Sequence, residues 1–313
     1  MDVIFDVALL ASTVRLFTPI LLASLGGMFT TRAGIFNVAL EGLMLIASFA
    51  AVAGAYWTGE PYLGMALAVL VSTVTALIFG FFVIDVNGNA VIVGLAVNIF
   101  ALGVTTFAML PVFGVAGGGF YDADLAGLPN LSVPLISAIP GLGTILSGHS
   151  ILVYASWLLV VLAQLLLFHH PLGLRIRAVG ENPVAAGSLG VNVRAMRYLS
   201  VLLCGVLCGL AGAQLSISLV TQFVQGMTAG RGFIALVAIM FGRADPWRIL
   251  GASLLFGFAY AASLRLQGIG IPAQLVAMLP YLATIAVLVL VQVRPRPAQR
   301  LRSASVDETT AAS

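Results

Sequence analysis

What most constrains this chain is the recurrence of apolar runs close to the length that crosses a bilayer. They lie at 8–29, 35–56, 63–84, 88–110, 150–169, 195–221, 231–242, 249–267 and 272–292, and a helix needs roughly 20 such residues to cross about 30 Å of hydrocarbon. In lipid every backbone N–H and C=O must be satisfied within the protein, so these runs must fold as helices. The predicted fold is an all-α polytopic membrane protein with about nine transmembrane helices. The run 231–242 is short for a full crossing and is predicted to be a broken or re-entrant helix. Apolar residues make up 61% of the chain and charged ones 8%. Soluble domains carry about 25% charged residues, so a water-soluble globule is excluded. No basic segment precedes the first run, and no cleavable signal peptide is expected.

The charges that remain are distributed by side. All 14 basic residues are arginines. Without a lysine for the phosphates there can be no standard Walker ATPase, so any ATP drive must come from another chain. Nine crossings put Arg32, Arg175, Arg177, Arg194, Arg197, Arg243, Arg248, Arg294, Arg296, Arg300 and Arg302 on one face, which the positive-inside rule makes cytoplasmic. The N-terminus, with Asp2 and Asp6, is then outside and the C-terminus cytoplasmic. This arrangement makes 1–293 a single membrane domain and 294–313 a cytoplasmic tail. The net charge of +3 follows topology and implies no nucleic-acid partner. The Gly- and Pro-rich stretch 111–149, which has no arginine, reads as an irregular external loop. Its sequon at Asn130 is too common by chance to carry meaning.

The largest internal cytoplasmic loop is 170–194. Within it Asn182 suits an N-cap, Pro183 the first helical position and Gly190 the residue just past the end. Between them Val184, Ala185, Ala186, Gly187, Ser188 and Leu189 make about two turns, too short to be stable alone. Such a helix either lies in the lipid interface or docks into a groove on a cytoplasmic partner, with Arg175 and Arg177 on headgroups or on an acidic rim.

The segments "RAGIFNVALEGLMLIASFAAV", "VIVGLAVNIFALGVTTF", "LRIRAVGENPVAAGSLGVNVRAMRY", "GLAGAQLSI", "GMTAGRGFIALVAIMFGRADPW" and "MLPYLATIAVLV" together resemble one family. They are similar to permease subunits of ABC importers of the ribose, branched-chain amino acid and nucleoside group. The likeness is nearest to nucleoside permeases that work with basic-membrane-lipoprotein-type binding proteins. The loop 111–149 is not part of the likeness. The resemblance implies that Arg177, Glu181, Asn182, Pro183, Val184, Ala185, Ala186, Ser188 and Leu189 form a coupling helix and its approach. It implies an ABC ATPase subunit holding ATP and Mg, a second permease (a heterodimer), an external solute-binding protein and a bacterial inner membrane. The chain itself is then a translocation subunit without a cofactor, not an enzyme.

Polar residues inside spans are candidate functional sites. Glu41 lies four residues after Asn37, so a continuous helix would put both on one face. Glu41 either pairs with Arg32, caps a broken helix, or lines the substrate path. Asn98 and Gln214 either bond between helices or line the path as well. Asn37, Glu41, Asn98 and Gln214 are thus the candidate path residues. Arg15, Arg231 and Arg265 are the arginines left off the cytoplasmic face. They either pair with acidic residues of a docked binding protein or snorkel to lipid phosphates. "GMTAGRG" around Arg231 reads as a hinge or break. Gly205, Gly209 and Ala213 make a small-residue face for close helix packing. Cys204 and Cys208, one turn apart, read as small packing residues. His149, His169 and His170 sit at span ends, and no residue set has metal-ligand spacing.

Three other functions stand against the nucleoside importer. An importer of ribose-like sugars or amino acids would use the same fold. An ion-coupled secondary transporter usually shows internal repeats and midplane carboxylates; Glu41 and Asp85 lie near span ends and no repeat is evident. A membrane protease at Ser253, in "GASLLFG", has no histidine deep in a later span to act as base.

Overall fold

The computed structural model describes residues 7–131 and 147–267, with Met278 and Leu282. The first helix, α1 (Val7–Arg32), has Pro19 near its middle. α2 (Leu40–Thr58) stops at Gly59 in the left-handed conformation. α3 (Pro61–Gly80) starts on Pro61 and runs on as π-helical turns through Phe81–Asp85. α4 (Ala90–Phe113) is capped by Asn89, whose side chain accepts the Val91 and Ile92 N–H groups. Three short strands follow, β1 (Gly119–Tyr121), β2 (Asn130–Leu131) and β3 (His149–Ser150). Then come α5 (Ile151–Phe168), α6 (Pro171–Glu181), α7 (Pro183–Ser188) and α8 (Val193–Ala213). α8 continues as π-helical turns over Gln214–Val220 and leads to β4 (Gln222–Val224). α9 (Arg231–Gly242) and α10 (Pro246–Leu266) complete the described fold.

Among the described residues 7 helical segments are long and apolar enough to cross a membrane. They correspond to the predicted runs apart from 231–242, which forms the short α9, and 272–292, which lies outside the described residues, as does the tail 294–313. The run 35–56 needs correction, because its helix begins only at Leu40. Residues 33–39 are not helical, and the expected shared helix face of Asn37 and Glu41 does not exist. The cause is local. Gly34 has φ +80°, and the Asn37 Oδ1 accepts the Ala39 N–H at 2.9 Å, a side-chain bond that competes with helix.

α1, α2 and α8 form the core, with α3, α9 and α10 packed on them. The small-residue face of α8 does what its spacing predicts. A Cβ on Gly205 would lie 2.6 Å from Thr73 Cα, and one on Gly209 would lie 2.6 Å from Val69 Cα. Backbones therefore meet where α8 crosses α3, and dispersion contacts replace the hydrophobic drive that lipid cannot supply. α4 stands at the edge and exposes Ile92, Ile99 and Phe107.

Seven of the arginines, Arg32, Arg175, Arg177, Arg194, Arg197, Arg243 and Arg248, fall near one end of the bundle. The opposite end carries the strands. The loop predicted to be irregular holds two antiparallel pairings there, Gly119 with Val224 through Tyr121 with Gln222, and Asn130 with Ser150. Aromatic residues make this possible: Phe120 stacks on Phe113 at 4.2 Å, and Phe49 meets Phe223 edge-on at 5.2 Å.

Candidate functional site

α9 is a half-helix. Its 12 residues reach about 18 Å, against about 39 Å for α1, so it covers only half the depth. Two bonds fix which half. Ser24 Oγ in α1 donates to Ala235 O at 3.2 Å, and Arg32 Nε at the end of α1 donates to Ala244 O at 2.8 Å. α9 therefore runs beside the arginine-rich half of α1, and its N-terminus sits at mid-depth.

Both ends of α9 are held by a charged side chain. The Glu41 carboxylate, in the first turn of α2, accepts the Gly230 N–H at 2.8 Å and the Gly232 N–H at 2.6 Å. Those donors have no partner inside a helix, and negative charge suits the positive end of the helix dipole. At the other end the Arg32 guanidinium donates to Ala244 O and, at 3.0 Å, to Arg243 O, where a cation suits the negative end. Of the three readings open for Glu41, the structure shows it capping a broken helix. The chain passes into and out of α9 through pairs of left-handed residues, Ala229–Gly230 and Arg243–Ala244. Residues with a Cβ pay roughly 1–2 kcal/mol each for that conformation.

The other candidate path residues are divided by the fold. Asn98 joins the Glu41 region, accepting the Gly42 N–H at 2.8 Å and donating to Val38 O at 3.0 Å. It thereby satisfies the start of α2 and the non-helical stretch before it. Asn37 is buried and donates to Cys204 Sγ at 3.3 Å, while the two cysteine sulfurs lie 4.0 Å apart. Gln214 is not with them. It is 1% exposed and accepts the Ser150 hydroxyl at 2.9 Å, which locks α8 to β3 inside the packing. Among the described residues no group of His, Cys, Asp or Glu side chains could hold a metal.

The loop 170–194 folds as α6, a break at Asn182, and α7. The Asn182 side chain accepts the Ala185 N–H at 3.0 Å, Pro183 is the first helical residue, and Gly190 has φ +81°. Val184 and Leu189 are 79% and 85% exposed, while Ala186 is 3% exposed and turned inward. The apolar side chains available to a partner are thus Val184, Ala185 and Leu189. Glu181 and Ser188 are exposed beside them. Arg177 lies 4.9 Å over the Phe168 ring.

The three arginines read as candidates for docking are not gathered. Arg15 Nε donates to His149 Nδ1 at 3.2 Å, and that histidine is buried rather than interfacial. Arg231 starts α9 at mid-depth, where it donates to Met227 O at 2.9 Å and lies 4.8 Å over the Tyr260 ring. Arg265 is half-buried in the last turn of α10. Sequence reasoning missed Arg32 as the partner of the α9–α10 turn. It also missed the cluster in which Asp85 takes both Arg194, at 2.8 Å, and the Tyr198 hydroxyl. Carbonyl partners about 210 positions away leave no local signal.

Comparisons with known proteins place this geometry in context. The family described as "Branched-chain amino acid transport system / permease component" matches residues 9–288. The chain is 34% identical to the guanosine ABC transporter permease protein NupQ of Bacillus subtilis, over 92% of this chain and 93% of that protein. It is 33% identical to the nucleoside ABC transporter permease protein NupC of Lactococcus lactis, over 93% and 94%. It is 32% identical to the putative glucose ABC transporter permease protein TsgC13 of Haloferax volcanii, over 91% of each. No solved structure matches the chain.

Proposed function

The chain belongs to the branched-chain amino acid transport system permease component family, and from that premise we propose that it is the membrane subunit of an ATP-driven importer of nucleosides. In this reading the arginine-rich end is cytoplasmic, the N-terminus is outside, and 272–292 supplies a ninth crossing of a bacterial inner membrane. A separate ABC ATPase binds ATP and Mg. A second, different permease completes the membrane core, and an external binding protein delivers solute at the strand end, with Arg15 and Arg265 as its docking residues; Arg231, at mid-depth, is held internally instead. The path for solute runs past Asn37 and Asn98, and Glu41 holds the half-helix that borders it.

One observation carries the coupling half of the reading. α7 is two turns long, capped by Asn182, and presents Val184 and Leu189 almost fully to solvent. A helix this short gains its order from what covers it, and a groove on the ATPase is the cover proposed here. Nucleosides are favoured as cargo because two of the relatives named above are nucleoside or guanosine permeases. The glucose relative supports a second reading, sugar import by the same machinery.

The test is uptake of labelled adenosine and ribose in host cells with and without the gene, before and after ATP depletion. Loss of ATP-dependent adenosine uptake on deletion is the expected result. Loss of ribose uptake alone moves the cargo to sugars. Gene-dependent uptake that survives ATP depletion overturns the ATP-driven reading.

A further inference from the structure

α9 is attached unlike any other long helix in the described fold. A helix that crosses the whole bundle is gripped along its length, as α8 is by α3 through Gly205 and Gly209. α9 buries Ile234, Ala235, Ala238 and Ile239 on one face and in addition is gripped by charged side chains at its ends, both from one short connection: Arg32 closes α1 and Glu41 opens α2. At each grip stands a pair of left-handed residues, Ala229–Gly230 and Arg243–Ala244. Three of the four, Ala229, Arg243 and Ala244, carry a Cβ and are strained there. Strain of this kind persists only where neighbours hold it, and relaxing it turns the chain by a large discrete step.

The surroundings leave room for such a step. A cavity of about 240 Å³ lies beside the C-terminal half of α9, lined by Arg32, Phe36, Leu236, Ile239, Met240 and Arg243. Phe233 and Met240 on α9 are exposed, as is Phe36 on the neighbouring non-helical stretch 33–39. Backbone that is not helical at membrane depth must face protein or water, so the 33–39 stretch beside α9 borders a path or a partner.

The coupling loop meets this assembly most closely at Gly180. A Cβ on Gly180, in the last turn of α6, would lie 2.1 Å from Arg32 O and 3.0 Å from Gly34 N. The backbones of α6 and of the α1 terminus are in direct contact, three residues before α7 begins. Displacement of α7 thus has a direct backbone route to Arg32, one of the two groups that hold α9.

We propose that Arg32 and Glu41 are paired positioning residues for transport: they clamp the half-helix Arg231–Gly242 between two hinges, and Arg32 is where the coupling loop acts on it. The inference rests on the reading of α7 as the ATPase-docking helix. It makes α9 the moving element of the path and the 32–41 connection the frame against which it moves.

The experiment uses the complete transporter in liposomes, with its ATPase, second permease and solute-loaded binding protein, and reads labelled adenosine moved per ATP hydrolysed. Arg32→Gln and Glu41→Gln remove the charges, whereas Arg32→Lys and Glu41→Asp keep them. The Gln variants are expected to keep binding-protein-stimulated hydrolysis within about twofold and to lose about tenfold in solute per ATP, with the KM for loaded binding protein unmoved. Glu41→Asp is expected to recover most of the loss. A wild-type ratio in both Gln variants, or hydrolysis falling in step with uptake, overturns the proposal. Should the Gln variants fail to assemble, the same ratio is read from Arg32→Lys, whose ammonium lacks the planar fork that spans the Arg243 and Ala244 carbonyls, and an unchanged ratio there overturns the proposal. If the unmodified transporter ignores adenosine but moves ribose, only the cargo reading fails, and the ratio is then measured with ribose.

Discussion

α8 and α9 show two ways to hold a helix in a membrane. α8 is long, buried along most of its length, and meets α3 backbone to backbone at Gly205 and Gly209. Even its one deep amide, Gln214, is sealed against Ser150. α9 is half as deep, shows Phe233 and Met240 on one side, and depends on Glu41 and Arg32 at its tips. A helix gripped along its face moves only if the packing is broken. α9, though it buries Ile234, Ala235, Ala238 and Ile239, adds grips at its tips that an exchange of a few hydrogen bonds can release. In the proposed mechanism α8 is the scaffold and α9 the gate.

Substitutions separate the two kinds. The largest effect is expected from Gly209→Leu, whose new side chain meets the Val69 backbone. Overpacking of this kind costs about 3 kcal/mol, read as a lower melting temperature in detergent and poor accumulation in the membrane. Leu189→Asp comes next and touches neither helix. It should cut ATP-driven uptake at least about tenfold, as loss of an interface anchor does, while the melting temperature stays at the wild-type value. Normal uptake in Leu189→Asp would remove α7 from the coupling role. Ala186→Arg is a poorer probe of the same idea, because its site faces inward and the arginine would disturb the loop itself.

Two polar substitutions sharpen the contrast at smaller scale. Gln214→Ala leaves the buried Ser150 hydroxyl without its acceptor, a cost of about 1–3 kcal/mol, and should lower thermal stability without changing solute moved per ATP. Glu41→Ala removes a comparable number of bonds but should act mainly on that ratio. If the two behave alike, the distinction between scaffold and gate is lost. The smallest effect is expected from Asp85→Asn. It weakens the link to Arg194, whose side chain is 70% exposed, and solvent-exposed ion pairs contribute little, so melting and uptake should both be unaltered.

The sequence exposes these features unevenly. Seven crossings and the short run 231–242 were legible because apolar length is a property of each segment alone. The cap and stop of α7 were legible for the same reason: Asn182, Pro183 and Gly190 act on their own neighbours. The unwound stretch 33–39 was not, since Ile35, Val38 and Ala39 are as apolar as the helix that follows. Nor was the partner of Glu41, because a carboxylate that accepts backbone N–H groups about 190 positions away leaves no complementary side chain to find. The hinges were half visible. Gly230 announces a turn, but left-handed Ala229, Arg243 and Ala244 follow from tertiary constraint and not from residue type. Asn98 and Gln214 read alike in sequence, and only the fold separates the amide beside Glu41 from the one locked into the core.

The brevity of α9 also bears on how the protein is made. A run of 12 residues falls well below the roughly 20 that a membrane-spanning helix requires, so it is a poor substrate for insertion on its own. The groups that receive it are synthesised first, since chains emerge N-terminus first. Arg32 and Glu41 are already in the bilayer, about 190 residues ahead, when 231–242 leaves the ribosome. The same two side chains that grip α9 in the finished protein are therefore already in place to receive a segment too short to anchor itself.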